Sequence, residues 1–434
     1  MTIKSKFEQY QTLKKKLNIR YKGYNLAEII ALDIIVHVYG RVDISKISYQ
    51  QLKSNFQKVP NLKKIKKILS SEKEVLFTLP HYQSHRKDYL ELIEIIMSKI
   101  SGSKLEIINI PNQSKSIERL ETLSMIINVM RSTIGFLNLK EIIYFSAKLL
   151  FYKRAIEILE EIDPNDIKIK KYIAFNAALN YENLIVAFLK RKEIPTYSLQ
   201  HAIVDRYFCD QDSPPYDLIN IENMTANYLL CWSQATVDQI KNHGIQNTKL
   251  LLAGSPKYNQ IQISSIKQSF RSGLIFFGGL GDESINLEVL NVIRELLKEQ
   301  DIKWAIKLHP QHFKSLDYRK IIEQSGIPLV SCDQTLSTLL TEDKFDFTIS
   351  YNLTTTVYYE SMCYGVLSFR YSPDKKASEY GLEDDVFSSA KELDQRIIDF
   401  KQMNQKLLIT RVQEMLEYTI GLKINSYHKY LSLE

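Results

Sequence analysis

The chain reads as α/β: two Rossmann-like, doubly wound domains facing a central cleft, behind a helical N-terminal preface. Three observations lead there. Short β-branched or aromatic runs alternate with amphipathic stretches over most of the 434 residues, the alternation falls into two series parted by a polar stretch, and phosphate-holding residue types cluster where runs of the second series end. Strand and helix in alternation make βαβ units, whose parallel sheets are covered by helices. Two such domains in tandem place a ligand crevice between them, at the carboxyl ends of both sets of strands.

Residues 1–70 form a basic helical preface. From Leu26 the apolar positions recur at helical spacing, as in LAEIIALDIIVHVYG. This segment holds fifteen Lys or Arg against four Asp or Glu while the whole chain is +7, so the remainder carries a net −4. Such a segment suits an anionic membrane surface, met by Lys14, Lys15 and Lys16 or by Lys63, Lys64, Lys66 and Lys67; the alternative is a set of solvated helix faces. Nucleic acid is not an expected partner, because no reading motif accompanies the charge.

The first series spans residues 71–258, an acceptor domain with runs VLFTLP (75–80), LEIINI (105–110), YIAFNA (172–177), PTYSLQ (195–200), YLLCWS (228–233) and KLLLAGS (249–255). A helical insertion is expected over 116–165. The polar stretch 256–272 is the linker. The second series, within 259–434, reads LIFFGG (274–279), KWAIKLH (303–309), PLVS (328–331), FDFTISY (345–351) and VLSFRY (366–371), and a last helical stretch from about 389 is expected to cross back onto the first domain.

Composition supports a folded soluble chain, with 44% hydrophobic and 25% charged residues and no low-complexity tract. Cys209, Cys231, Cys332 and Cys363 are scattered, which favours buried reduced thiols in a cytosol over disulfides or a metal cluster. The N-terminal cations are followed by no apolar core of a signal peptide, and no apolar run reaches the roughly 18 residues of a membrane span. The expected location is cytoplasmic, peripheral at the inner face of the plasma membrane.

The chemistry gathers in three segments of the second series. Lys307-Leu308-His309-Pro310 ends a strand pattern, where Lys307 would meet phosphate as a point charge and His309 would hydrogen-bond a phosphate oxygen. Thr354, Thr355 and Thr356 follow the next strand at the start of a helix, where hydroxyls and free amides meet an anion. Glu360, further along that helix, suits the two hydroxyls of a ribose. Gly278, Gly279 and Gly281 follow the opening strand and let backbone amides approach a phosphate, although the spacing is neither the dinucleotide fingerprint nor a P-loop. In the first series the strand ends carry His85, Glu182 and His201; a transfer reaction needs a base near the acceptor hydroxyl, and spacing does not choose among the three. No G-x-S-x-G elbow is present, so acyl transfer has no support.

With these residues in place, the second half resembles the donor domain of glycosyltransferases of the two-Rossmann, GT-B type. Lys307-x-His309-Pro310 followed by the hydroxyls at 354–356 is similar to the paired motifs of bacterial sialyltransferases, polysialyltransferases and capsule Kdo transferases, and of teichoic-acid glycerophosphotransferases. Tyr197-Ser198-Leu199-Gln200-His201 and Leu252-Ala253-Gly254-Ser255-Pro256 look like strand ends of the capsule-type enzymes. The resemblance implies that His309 and one or more of the threonines contact donor phosphate. The triple threonine departs from the family's Ser-Ser or Ser-Thr pair, and no first-domain aspartate matches the sialyltransferase base.

The resulting expectation is a glycosyltransferase needing no metal or cofactor, which moves a CMP-activated sialic acid or Kdo-like sugar onto a bacterial surface glycan. Its partners would be the nucleotide-sugar donor and a glycan or lipid-linked acceptor. The alternatives are a CDP-polyol phosphotransferase, a UDP-hexose transferase, an inactive binding protein of the same fold and a sugar-nucleotide epimerase.

Overall fold

The computed structural model describes residues 5–70, 72–114, 119–204, 206, 214, 216–259, 261–279, 282–296, 302–309, 316–331, 334–341, 344–351, 355–374 and 380–433. Two parallel sheets organise them. The first holds β1 (Val75–Pro80), β2 (Ser103–Ile108), β3 (Lys171–Ala174), β4 (Thr196–Leu199), β5 (Tyr228–Cys231) and β6 (Lys249–Leu252), in the spatial order β6-β5-β4-β3-β1-β2. The second holds β7 (Ser272–Phe276), β8 (Lys303–Lys307), β9 (Phe347–Tyr351), β10 (Leu367–Tyr371) and β11 (Val386–Phe387), in the order β8-β7-β9-β10-β11. These are the two Rossmann-like halves of a GT-B architecture. Each sheet begins 2-1-3-4-5, so strand order reverses between β1 and β3 in one half and between β7 and β9 in the other, the places where doubly wound sheets open a ligand crevice.

The strands form where apolar runs lie buried on both faces; every residue of β1, β9 and β10 is buried. The insertion is a hairpin of helices Arg119–Thr133 and Leu139–Glu160, the second opened by a capping box between Asn138 and Glu141. Preface helices pack through Tyr10, Leu13, Ile34 and Ile35 into the apolar cluster that also holds the hairpin and one face of the first sheet.

Two local expectations are corrected. The preface is not helical throughout: Arg20–Tyr21 pairs with Tyr24–Asn25, and Lys58–Pro60 pairs antiparallel with Asn112–Ser114. Pro60, which lacks a donor, ends that strand, and a partner far along the chain overrides the local helical pattern. The run at 328–331 is not a strand, because it touches β8 only at the bridge Ile306–Leu329, with Pro328 supplying a carbonyl but no amide hydrogen. Cys231 and Cys363 are free and buried, burial pushing the Cys231 thiol up to about 12; Cys209 and Cys332 lie outside the described residues.

After helix Gln405–Ile420 the chain returns to the first half. Ser255 N donates to Ile420 O at 3.0 Å, Ser426 N to Ala253 O at 3.0 Å, and the Tyr427 hydroxyl to Gly254 O at 2.9 Å. Gly254 has φ +87, and a Cβ there would stand 1.8 Å from Ile424 O; Gly421, at φ +67, would meet Trp232 O at 2.1 Å. Both approaches exclude a side chain. A single apolar cluster accordingly runs from Phe77 and Trp232 through Tyr258 to the second sheet and Tyr427.

Gly254→Ala should therefore cost about 2–4 kcal/mol, combining left-handed backbone strain with a backbone clash. Gly40→Ala, at φ +72 with open space around its Cβ position, should cost about 1 kcal/mol. Urea unfolding of both variants checks the difference; equal losses would mean that the close approach carries no weight.

Candidate functional site

The carboxyl ends of β7, β8 and β9 bring the second-half candidates together. Phe277 N donates to Lys307 O at 3.1 Å, which sets the glycine turn beside the end of β8. Gly278 sits at the point of strand reversal: a Cβ there would stand 2.3 Å from the Tyr351 ring and 2.6 Å from the Asp282 carboxylate. Its amide donates to Asn286 Oδ1 at 2.9 Å, and Asp282 N closes the turn onto Gly279 O at 3.2 Å, leading into helix Glu283–Leu296. Gly281, Pro310 and Thr354 lie outside the described residues.

Lys307 is half-buried, and its ammonium donates to the carbonyls of Gln334 at 2.7 Å and Ser331 at 3.4 Å, tying the end of β8 to those two residues. His309 is half-buried two residues on. Thr355 is the N-cap of helix Thr356–Cys363, its hydroxyl accepting from Val357 N at 3.3 Å, and Thr356 is the first helical residue. The poor helix-forming character of Thr favours this placement at a cap.

Glu360 is on the same helix but turns to the seam between the halves. Burial raises its pKa, opposed by Lys257 and by a hydrogen bond from Tyr258, while Glu91 and Asp88 push it further up. Lys257 in turn pairs with Glu91 at 2.6 Å. A carboxyl of the second half thus meets charged groups of the first.

The three candidate bases are placed differently. His85 is exposed on the turn after β1. Glu182 is buried in the first turn of helix Asn180–Arg191, where it accepts from Thr78 Oγ1 at 2.6 Å, Phe175 N at 2.9 Å and Asn176 N at 3.0 Å. Burial pushes it up to about 8 against those three donors. It ties the loop after β3 to β1, and its oxygens are occupied by the fold. The side chain of the neighbouring Asn180 lies outside the described residues, as does Asp205.

His201 follows β4. Its ring lies 4.5 Å from that of Phe175 and 5.7 Å from that of Tyr89, and the Arg86 guanidinium sits 4.0 Å over the Tyr89 ring while pairing with Asp88. Burial pushes His201 down to about 4; Arg86 adds to that push, and the Leu199 carbonyl and Asp88 oppose it. Nδ1 lies 3.4 Å from Leu199 O, and donation there leaves Nε2 as the acceptor. Asp88 acts on both His201 and Glu360, so these two residues share one electrostatic neighbourhood across the seam.

Tyr89, Glu91, Lys257 and Tyr258 are not marked out by the sequence reading, since Lys257 and Tyr258 stand in a stretch read as linker; Arg86 stands in the polar stretch after VLFTLP that also carries His85. Among the described residues no three His, Cys, Asp or Glu side chains gather to hold a metal ion.

No protein-family model matches the chain, and no curated protein sequence matches it. Among solved structures it is similar to an O-GlcNAc transferase mutant from Thermobaculum terrenum at 10% identity, covering 93% of this chain and 78% of that one with a TM-score of 0.41. It is similar also to MnaA of S. aureus solved with UDP, at 10% identity, 82% and 94% coverage and a TM-score of 0.46. A third is the UDP-GlcNAc 2-epimerase from Neisseria meningitidis bound to UDP-GlcNAc, at 13% identity, 82% and 97% coverage and a TM-score of 0.45.

Because the folded value of His201 lies below the ordinary 6.5, the unfolded chain takes up a proton there before the native state does. The stability associated with a neutral His201 is present above pH 6.5 and is lost as pH falls toward about 4. His201→Gln should lose less stability than the parent chain between pH 7 and pH 4.5, read as urea midpoints; equal losses would show that this imidazole is not held neutral.

Proposed function

We propose that this protein is a glycosyltransferase that binds a nucleotide-activated sugar at the carboxyl ends of β7, β8 and β9 and passes the sugar to a hydroxyl held by the first half. The observations that support the reading are the Gly278 turn against the Tyr351 ring at the reversal between β7 and β9, the bond from Phe277 N to Lys307 O beside it, and the Thr355 cap that follows β9. Donor phosphate would be met by His309, Thr355, Thr356, the turn amides and Lys307, which exchanges its hold on the Gln334 carbonyl for phosphate. Such preplaced donors stabilise the charge that develops on a departing nucleotide, the term on which catalysis without a metal would rest. His201, neutral near pH 7 and bordering the crevice, is the base we favour, since Glu182 is spent on the fold and His85 stands in solvent. Packing of the two halves would limit access of water to the donor.

For the donor we favour a CMP-linked sialic acid or Kdo-like sugar, on the strength of Lys307-x-His309-Pro310 and the threonines behind it. A UDP-hexose is the second reading, supported by Glu360 as a ribose carboxylate if it exchanges Tyr258 for ribose. The acceptor would be a bacterial surface glycan made at the cytoplasmic face of the membrane.

Thermal stabilisation by CMP, CDP, UDP, GDP and dTDP at matched concentrations tests the reading, since a ligand bound only by the folded state raises apparent stability. A selective shift with CMP supports the first donor, one with UDP the second, and one with CDP a polyol phosphotransferase whose product keeps a phosphate; no shift with any overturns the enzyme reading. His309→Ala should lower turnover on the order of 100-fold while leaving the melting temperature unchanged, and undiminished turnover in the folded variant would remove His309 from the chemistry.

A further inference from the structure

Helix Arg119–Thr133 carries two apolar faces. One, through Met125, Val129 and Thr133, is buried against the first half. The other is open: Leu120 is 85% exposed, Leu123 55%, Met130 43% and Ile134, just past the helix end, 77%. At 3.6 residues per turn these four fall within an arc of roughly 80°. Leu139, 60% exposed, begins the second helix of the hairpin, and Tyr49, 57% exposed, lies under Lys140, which donates to Ser45 O at 2.7 Å and stands 5.2 Å over the Tyr49 ring. Scattered surface apolar residues need no explanation, whereas a contiguous row on one helix face does.

Among the described residues, exposed cations border this row. Arg119 and Arg131 are exposed on the helix itself. Lys16 reaches Ser132 O at 3.3 Å and lies 6.0 Å over the Phe136 ring, and Lys140 flanks the far end. Among the described residues the nearby carboxylates are taken: Glu121 pairs with Lys153 and Arg154, Glu141 closes the Asn138 cap and faces His37, and Asp43 pairs with Lys46. An apolar stripe rimmed by unneutralised cations fits the boundary of an anionic bilayer, where side chains enter the acyl region while Lys and Arg meet headgroups. No helix of the described residues is long and apolar enough to cross a membrane, so this is the geometry of lying on the surface.

We propose that the outer face of the inserted helical hairpin docks this protein on an anionic lipid surface. The seat is the hairpin rather than the lysine cluster of the preface, where Ile65, Ile68 and Leu69 are buried and, among the described residues, no exposed apolar row accompanies the charge. The proposal stands apart from the donor pocket, so its test needs no activity.

The full chain is sedimented with vesicles of phosphatidylcholine alone and of equal parts phosphatidylcholine and phosphatidylglycerol. The parent chain should partition onto the second and not the first. Changing Leu120, Leu123, Met130 and Ile134 together to Ser should weaken binding about tenfold or more, and Arg119→Gln with Arg131→Gln should weaken it about tenfold and flatten its salt dependence. All six of these positions are exposed, and an unchanged melting temperature shows that the variants fold. The proposal is overturned if the parent chain stays in solution, if the four-serine variant binds as the parent does, or if binding is lost only on changing Lys63, Lys64, Lys66 and Lys67 to Gln. Concentration-dependent self-association in sedimentation velocity that the serine changes abolish would also overturn it, assigning the face to a second copy of the chain.

Discussion

The close approach of the carboxyl-terminal segment to the end of β6 is the constraint on which the rest depends. At Gly254 and Gly421 two backbones meet with no room for a Cβ, and three hydrogen bonds at 2.9–3.0 Å hold them there. That contact is made by backbone atoms, so it fixes position more tightly than side-chain packing, which has rotamers to spend. With the tail secured to the first half, one apolar cluster passes continuously between the sheets, and the turn after Gly254 delivers Lys257 and Tyr258 to the seam, where they meet Glu91 and Glu360.

Burial then decides which ionisable groups are available. Glu182 and His201 both follow strands of the first sheet, and desolvation drives each toward its neutral form. Their partners separate them. Glu182 is surrounded by donors aimed at its two oxygens, which makes it a tie between β1 and the loop after β3. His201 is packed between the Phe175 and Tyr89 rings with Nδ1 on the Leu199 carbonyl. Lys307, at the end of β8, has its ammonium held by the carbonyls of Ser331 and Gln334.

The strands were legible because a strand buried on both faces is rich in aliphatic and aromatic residues, and VLFTLP, FDFTISY and VLSFRY read that way despite polar members such as Thr348 and Arg370, the latter paired in the interior with Asp385. The helical insertion expected over 116–165 is present as the hairpin Arg119–Thr133 and Leu139–Glu160. Short pairings were not legible. Lys58–Pro60 joins Asn112–Ser114 across half a domain, and no local pattern announces a partner at that distance.

Chain order alone placed Lys307, His309 and Thr355 at the ends of strands or the start of a helix, because residue type and flanking pattern are local properties. What they stand beside was decided by tertiary structure. Strand order, and so the two points of reversal, depends on which sheets and helices pack together. The ring contacts of Tyr89, Phe175 and His201 and the meeting of Glu360 with Tyr258 join residues far apart in the chain. Burial is likewise a property of the assembled fold. It is burial that separates His201 from His85 and an exposed leucine at 120 from a buried one at 150, since desolvation and packing act on a side chain only once the rest of the chain surrounds it.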